Sequence, residues 1–149
     1  MSTSGKSGEG KKAVAATLDY CIEMFLEKDA NLLALDANEK ALTHKFAEYL
    51  ASRFPAWEVD CEYDRLFDEA KKLRIRGELA RVIPDIIVHH RNTKKNLLVI
   101  EAKKEGDRRG ASADLRKLRE FKKQLGYRHA IFIRFRTGEK PGIEIPVWI

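Results

Sequence analysis

Three charged residues interrupt two of the most apolar stretches of the chain. Asp85 stands between Val82-Ile83-Pro84 and Ile86-Ile87-Val88, and Glu101 and Lys103 close the run that begins Leu97-Leu98-Val99-Ile100. Glu101 and Lys103 are two apart, so on a strand they share one face. Two carboxylates and an ammonium at the edge of a core are costly without compensation. A hard divalent cation compensates them, because Asp85 and Glu101 offer oxygen ligands and Mg²⁺ retains several waters besides. Water activated by such an ion is a nucleophile near neutral pH. Lys103, kept protonated by nearby carboxylates, suits positioning of that water or stabilisation of phosphorane charge. The chemistry is metal-assisted phosphodiester hydrolysis.

These residues need an antiparallel hairpin to meet. Both runs are apolar on consecutive positions, as in central strands covered on both faces. The polar link Arg91-Asn92-Thr93-Lys94-Lys95 makes them a hairpin. Opposite residues in such a pair have a constant sum of numbers. A sum of 186 sets Asp85 against Glu101, and 188 sets it against Lys103. A sum of 187 sets Asp85 against Ala102 and spoils the site, so register is decisive.

The other elements follow from periodicity. Val14, Leu18, Cys21, Ile22 and Phe25 predict a helix over 13–27, followed by a connection anchored by Leu32, Leu33 and Leu35. Asp36 with Glu39 resembles a capping box for a second helix through Leu42, Phe46, Tyr49, Leu50 and Arg53, ending before Pro55. Residues 57–64 alternate strictly, with Trp57, Val59, Cys61 and Tyr63 on one face and four carboxylates on the other, as in a half-buried edge strand. The carboxylate face is expected to point away from nucleic acid or to pair with arginines. Residues 65–81 read as a short helix or long loop. Beyond Gly106 and Gly110, Leu115, Leu118, Phe121 and Leu125 define a helix, and strands follow at 130–133 and 143–147. The order α-α-β-β-β-α-β-β predicts one mixed sheet flanked by helices.

The chain has 149 residues, 44% hydrophobic and 35% charged, which suits one domain. Residues 1–12 read as a disordered basic tail and 13–149 as that domain. No apolar run approaches the ~20 residues needed to cross a bilayer. Neither a secretory h-region nor a CxxC motif is present, so a cytoplasmic protein with two buried thiols, Cys21 and Cys61, is expected. The formal charge is +6 and it is unevenly placed. Segment 103–140 holds 13 Lys/Arg and 5 Asp/Glu, against 16 and 18 in the remainder. Beside a carboxylate pair, that excess reads as a phosphate-facing surface.

Pro84-Asp85 followed by Glu101-Ala102-Lys103 resembles the PD-(D/E)xK nuclease superfamily, which includes restriction enzymes and Holliday-junction resolvases. The resemblance covers about residues 36–136. It implies an α/β, restriction-endonuclease-like αβββαβ core with a mixed central sheet, here with an extra N-terminal helix. It further implies a Mg²⁺-dependent nuclease in which Mn²⁺ substitutes, with a metal set of Asp85, Glu101 and Ala102 and with Lys103 assisting the attack. Many members carry another Glu on the helix before the first strand. With Leu42 at zero, Glu39 falls at about 60° on the inward stripe and Glu48 at about 240°, so Glu39 is the expected fourth catalytic residue. Its competing role is the cap with Asp36. His44 faces outward and reads as solvated.

Lys104, Arg108 and Arg109 follow the ExK strand and are the best-placed phosphate contacts. Lys117 is a further candidate, although a surface pair with Asp114 is the simpler reading. His89 and His90 point to opposite faces at a strand end and read as structural. Gln124 and Tyr127 resemble the Gln-xxx-Tyr motif of RecB-like nucleases, but the spacing is one residue short and no role is carried over. DNA is the expected partner, RNA stays open, and no membrane is involved. Two cuts in a duplex need two sites, which makes a homodimer reasonable. The alternative function is a catalytically inactive nuclease-fold module that binds nucleic acid or a protein partner.

Overall fold

The two consecutive apolar runs pair with each other at the centre of a sheet, and the rest of the chain covers their faces. The computed structural model describes residues 9–63, 65–66, 69–105 and 111–149, without the side chains of Leu66 and Glu69. Two helices come first, α1 (Lys11–Ala34) and α2 (Glu39–Arg53), then the edge strand β1 (Glu58–Cys61). Four short strands follow: β2 (Arg65–Leu66), β3 (Glu69–Ala70), β4 (Lys72–Ile75) and β5 (Glu78–Arg81). The central hairpin is β6 (Ile86–His89) and β7 (Asn96–Lys104). Then come α3 (Ala111–Leu125), β8 (His129–Arg136), β9 (Gly142–Ile143) and β10 (Val147–Trp148).

The main sheet runs β1-β6-β7-β8-β10, with β9 also on β8. Its pairs are antiparallel except β7 with β8, which are parallel. A parallel pair requires a crossover, and α3 supplies it. Strand alternation sorts the core into two layers. Ile86, Val88, Ile100, Ile131 and Ile133 pack with Val14, Leu18, Phe25 and Phe46 of α1 and α2. Ile87, Val99, Ala130 and Phe132 pack with Leu118 and Phe121 of α3. Among the described residues this is a mixed α/β architecture of three helices around a mixed sheet. No helix of the described residues is long and apolar enough to cross a membrane.

Several expectations are corrected. The first helix begins at Lys11, inside the expected tail, and runs to Ala34 across a non-helical Asp29; residues 1–8 of that tail lie outside the described residues. Asn38, not Asp36, caps α2, its side chain accepting the Ala41 N–H at 2.8 Å. Asp36 instead takes a positive φ in the turn between the helices. Asn38→Ala is expected to cost about 1 kcal/mol, read as a lower urea midpoint at unchanged m.

The described residues within 65–81 form two antiparallel strand pairs rather than a helix or loop. The two-residue turn Arg76-Gly77, with positive φ at both positions, joins β4 to β5, as a type I′ turn requires. The strand expected at 143–147 splits into β9 and β10, because Pro146 has no N–H for the ladder. Cys21 is buried as expected, whereas Cys61 is exposed at the sheet edge.

Candidate active site

The central hairpin adopts the 186 register: Ile86 faces Ile100, Ile87 faces Val99 and Val88 faces Leu98. Continued by one residue, it sets Asp85 against Glu101. The two side chains interlock with the opposite main chain. The Asp85 N–H donates to Glu101 Oε2 at 2.8 Å, and the Ala102 N–H donates to Asp85 Oδ2 at 2.8 Å. Glu101 shares the α3 face of the sheet with Val99, and its residue is 2% exposed. Burial pushes its carboxyl well above the ordinary range, with the Asp85 charge next, while Lys117 and the Asp85 N–H oppose the shift. Burial likewise raises Asp85, and the charges of Glu39 and Asp114 add to it, against the Ala102 N–H and Lys117.

Helix α3 lays two residues onto this strand end. Lys117 Nζ is 2.6 Å from Glu101 Oε1 and donates to the Ile83 carbonyl at 3.3 Å. Lys103 Nζ is 3.3 Å from Asp114 Oδ2. The surface pair Asp114–Lys117 is thus replaced by a crossed arrangement in which each bonds to β7. Both face inward because Leu118 and Phe121 set the buried stripe of α3. Lys103, expected between Asp85 and Glu101, has Asp114 as its carboxylate partner. Asp114 is therefore a site residue that sequence reasoning left on the surface. Arg134 was also missed; it lies beside Lys103 in the parallel β7–β8 register and 3.9 Å from Glu144.

Glu39 reaches the site from the first turn of α2. Its Oε2 accepts the Lys104 N–H at 3.2 Å. Together with Asp85 it lines a cleft of about 250 Å³ that also includes Lys40, Thr43, His44, Cys61 and Glu62. Glu48 stays outside, paired with His44 and Lys45. Lys104 Nζ is 2.6 Å from Asp36 Oδ1, and Lys104 heads the contacts that hold the Asp36 carboxyl below its ordinary range. Arg108 and Arg109 lie outside the described residues.

The remaining sequence candidates have structural partners. His89 is buried, with Nε2 2.7 Å from Asp60 Oδ2, and Arg91 binds the same carboxylate through Nε at 3.0 Å and a terminal nitrogen at 2.5 Å. Burial alone would raise Asp60; Arg91 and His89 outweigh it and hold the carboxyl low. The acidic strand face does pair with an arginine there. His90 stacks on Trp57 at 4.0 Å. Gln124 brackets the main chain of Arg74 with two 2.7 Å hydrogen bonds, and Tyr127 packs edge-on against Phe121 in the core.

Among the described residues no group of three or more His, Cys, Asp or Glu side chains is arranged to hold a metal ion. The donor chemistry of Asp85 and Glu101 nonetheless fits a hard divalent cation. Both are oxygen donors whose ionised forms are disfavoured as they stand, and two carboxylates with water ligands suit Mg²⁺. No family model, curated protein or solved structure matches the chain.

Proposed function

We propose that the protein is a Mg²⁺-dependent nuclease with a restriction-endonuclease-like core that hydrolyses DNA phosphodiester bonds. The observation that carries this reading is the facing of Asp85 and Glu101 across the β6–β7 hairpin, with Lys103 two residues on along the same strand face. The order α2-β1-β6-β7-α3-β8, with β7 and β8 parallel, supports the αβββαβ core. The hairpins β2–β3 and β4–β5 are then insertions between the first and second core strands, and α1 is an addition.

Asp85 and Glu101 would hold the cation, with Ala102 between the motif residues and Glu39 at the cleft wall as a further oxygen donor or water-positioning group. When bound, a divalent cation lowers the pKa of a coordinated water and offsets phosphate charge. Lys103 orients the attacking water and stabilises charge that develops on the phosphate oxygens. Asp114 holds the Lys103 ammonium in place for that task. Lys117 neutralises Glu101 in the metal-free protein. Lys104 and Arg134, at the same strand ends, contact the phosphate backbone.

The test is incubation of purified protein with duplex, single-stranded and branched DNA and with RNA, in Mg²⁺ or Mn²⁺. Metal-dependent cleavage of DNA is expected, lost in Asp85→Ala and in Lys103→Ala. Absence of cleavage of every substrate would sink the enzyme reading. One observation favours the second reading, a nuclease-fold module that binds without cutting: Lys117 already occupies Glu101. Nucleic-acid binding unchanged by Asp85→Ala, with no cleavage by the unaltered protein, would select it.

A further inference from the structure

The β4–β5 hairpin is amphipathic in an unusual sense. Its inner face carries Leu73, fully buried against Leu118, Phe121 and Tyr127, with Ile75 partly buried beside it. Gln124 clamps the hairpin to α3 through both main-chain groups of Arg74. The ribbon is therefore anchored and has a defined outer face. That face shows Lys72 and Arg74 on β4, opposite Arg81 and Leu79 on β5. All four residues are exposed, Leu79 to 58%. Residues 72–81 contain four basic residues and one acidic residue, Glu78.

One feature of this ribbon costs stability. Arg76 takes φ +52 at the turn position where Asn, Asp or Gly is preferred. That puts a cation where folding alone would not. Lys72 and Arg81 are direct cross-strand partners, so two cations stand side by side on the outer face. The hairpin also lies close to the site, since Arg81 and Asp85 are four positions apart, a reach of at most about 14 Å. A DNA strand presents a phosphate about every 3.4 Å along the helix axis. A two-stranded ribbon fits the major groove of B-DNA, whereas the A-form groove of duplex RNA is too narrow for side chains to read.

We propose that the β4–β5 hairpin is the arm that docks duplex DNA beside the Asp85–Glu101 site. Lys72, Arg74 and Arg81 lie along the phosphates, and Arg76 at the tip reaches the groove. The partner follows from charge complementarity and from continuity with the site; that the duplex is a substrate rests on the nuclease reading. It also adds cationic surface outside residues 103–140.

The experiment is fluorescence anisotropy of a labelled DNA duplex of mixed sequence, with the full chain carrying Asp85→Asn and with Ca²⁺ in place of Mg²⁺. It is repeated across about 50–200 mM salt. The triple variant Lys72→Ala, Arg74→Ala, Arg81→Ala is expected to bind roughly 10–100-fold more weakly, with a log–log salt slope shallower by about 2–3. Arg76→Asn keeps the turn, and its Tm is expected to rise by about 1–3 °C while binding weakens. An arginine with only a structural role would give the first effect without the second.

Unaltered affinity and slope in folded variants would overturn the proposal, as would binding of single-stranded DNA or RNA that depends on the hairpin when duplex binding does not. If the unaltered chain cleaves DNA and the variants bind normally, only the hairpin proposal falls. If binding depends on the hairpin but nothing is cleaved, the proposal stands and the nuclease reading falls.

Discussion

Asp85→Asn is expected to abolish the proposed metal-dependent cleavage, a loss of about 10³-fold or more, and to make the metal-free protein harder to unfold at neutral pH. The two effects share one cause. Asp85 and Glu101 are held together with their ionised forms disfavoured, first by burial, then by the Asp85 charge at Glu101 and by the charges of Glu39 and Asp114 at Asp85. An asparagine keeps the acceptor for the Ala102 N–H and removes the charge. The expected gain is about 1–2 kcal/mol, or roughly 2–6 °C in Tm for a chain of this size.

The sign of the pH dependence follows from linkage. Above the ordinary carboxylate range the folded protein holds more protons on this pair than the unfolded chain does. Stability therefore falls as pH rises from about 4 through neutrality toward the raised native values. Thermal unfolding in EDTA between about pH 5 and 8 is expected to show that decline in the unaltered chain and a shallower one in Asp85→Asn. Saturating Mg²⁺ is expected to restore Tm in the unaltered chain only. A variant less stable than the parent in EDTA at neutral pH would show that the hydrogen bonds of the Asp85 carboxylate outweigh its burial and its repulsion with Glu101.

The second large effect separates two lysines at the end of β7, Lys103 on the strand and Lys117 of α3 against Glu101. Lys103→Met is expected to lower cleavage by about 10²–10³-fold while leaving Mn²⁺ affinity nearly unchanged, because the described carboxylate that it pairs with is Asp114, which is not a proposed metal ligand. Lys117→Met is expected to do something different. Its ammonium sits 2.6 Å from Glu101 Oε1, on an oxygen the cation would use. Removing that competitor is expected to tighten Mn²⁺ binding about five- to tenfold, measured by titration calorimetry. It also leaves Glu101 buried without its cation, at a cost of about 2–3 kcal/mol in EDTA, read from the urea midpoint. If Lys117→Met abolishes cleavage and Lys103→Met does not, the catalytic cation belongs to α3 and the mechanism must be redrawn around it.

The strand framework of the site was legible because strand periodicity is local. Consecutive apolar residues marked β6 and β7 as central, and the spacing of Glu101 and Lys103 put both on one face. The helical stripe of α2 turned Glu39 inward and Glu48 outward, and Glu39 does line the cleft with Asp85. The cap of α2 was misread because Asp36 and Asn38 are both competent side chains. Asn38 bonds the Ala41 N–H, while the salt bridge to Lys104 engages Asp36. The strand pairs within 65–81 were missed because the strands are short and charged, and Leu73 gains its burial only in the tertiary layer it shares with Leu118 and Phe121 of α3. Arg76-Gly77 was the available turn signal.

By itself the sequence determined which residues could form a carboxylate pair and a lysine on one sheet face, and narrowed the register to two choices that unite them. It could not choose between 186 and 188, since both satisfy the same alternation. Nor could it say which cation meets which carboxylate. Asp114 and Lys117, three apart, make a plausible pair on an isolated helix. Only the packing of Leu118 and Phe121 against the sheet turned them toward Lys103 and Glu101. Ion pairing across elements depends on distances that exist only after the core has closed, whereas strand and helix faces are set by the repeat of the backbone.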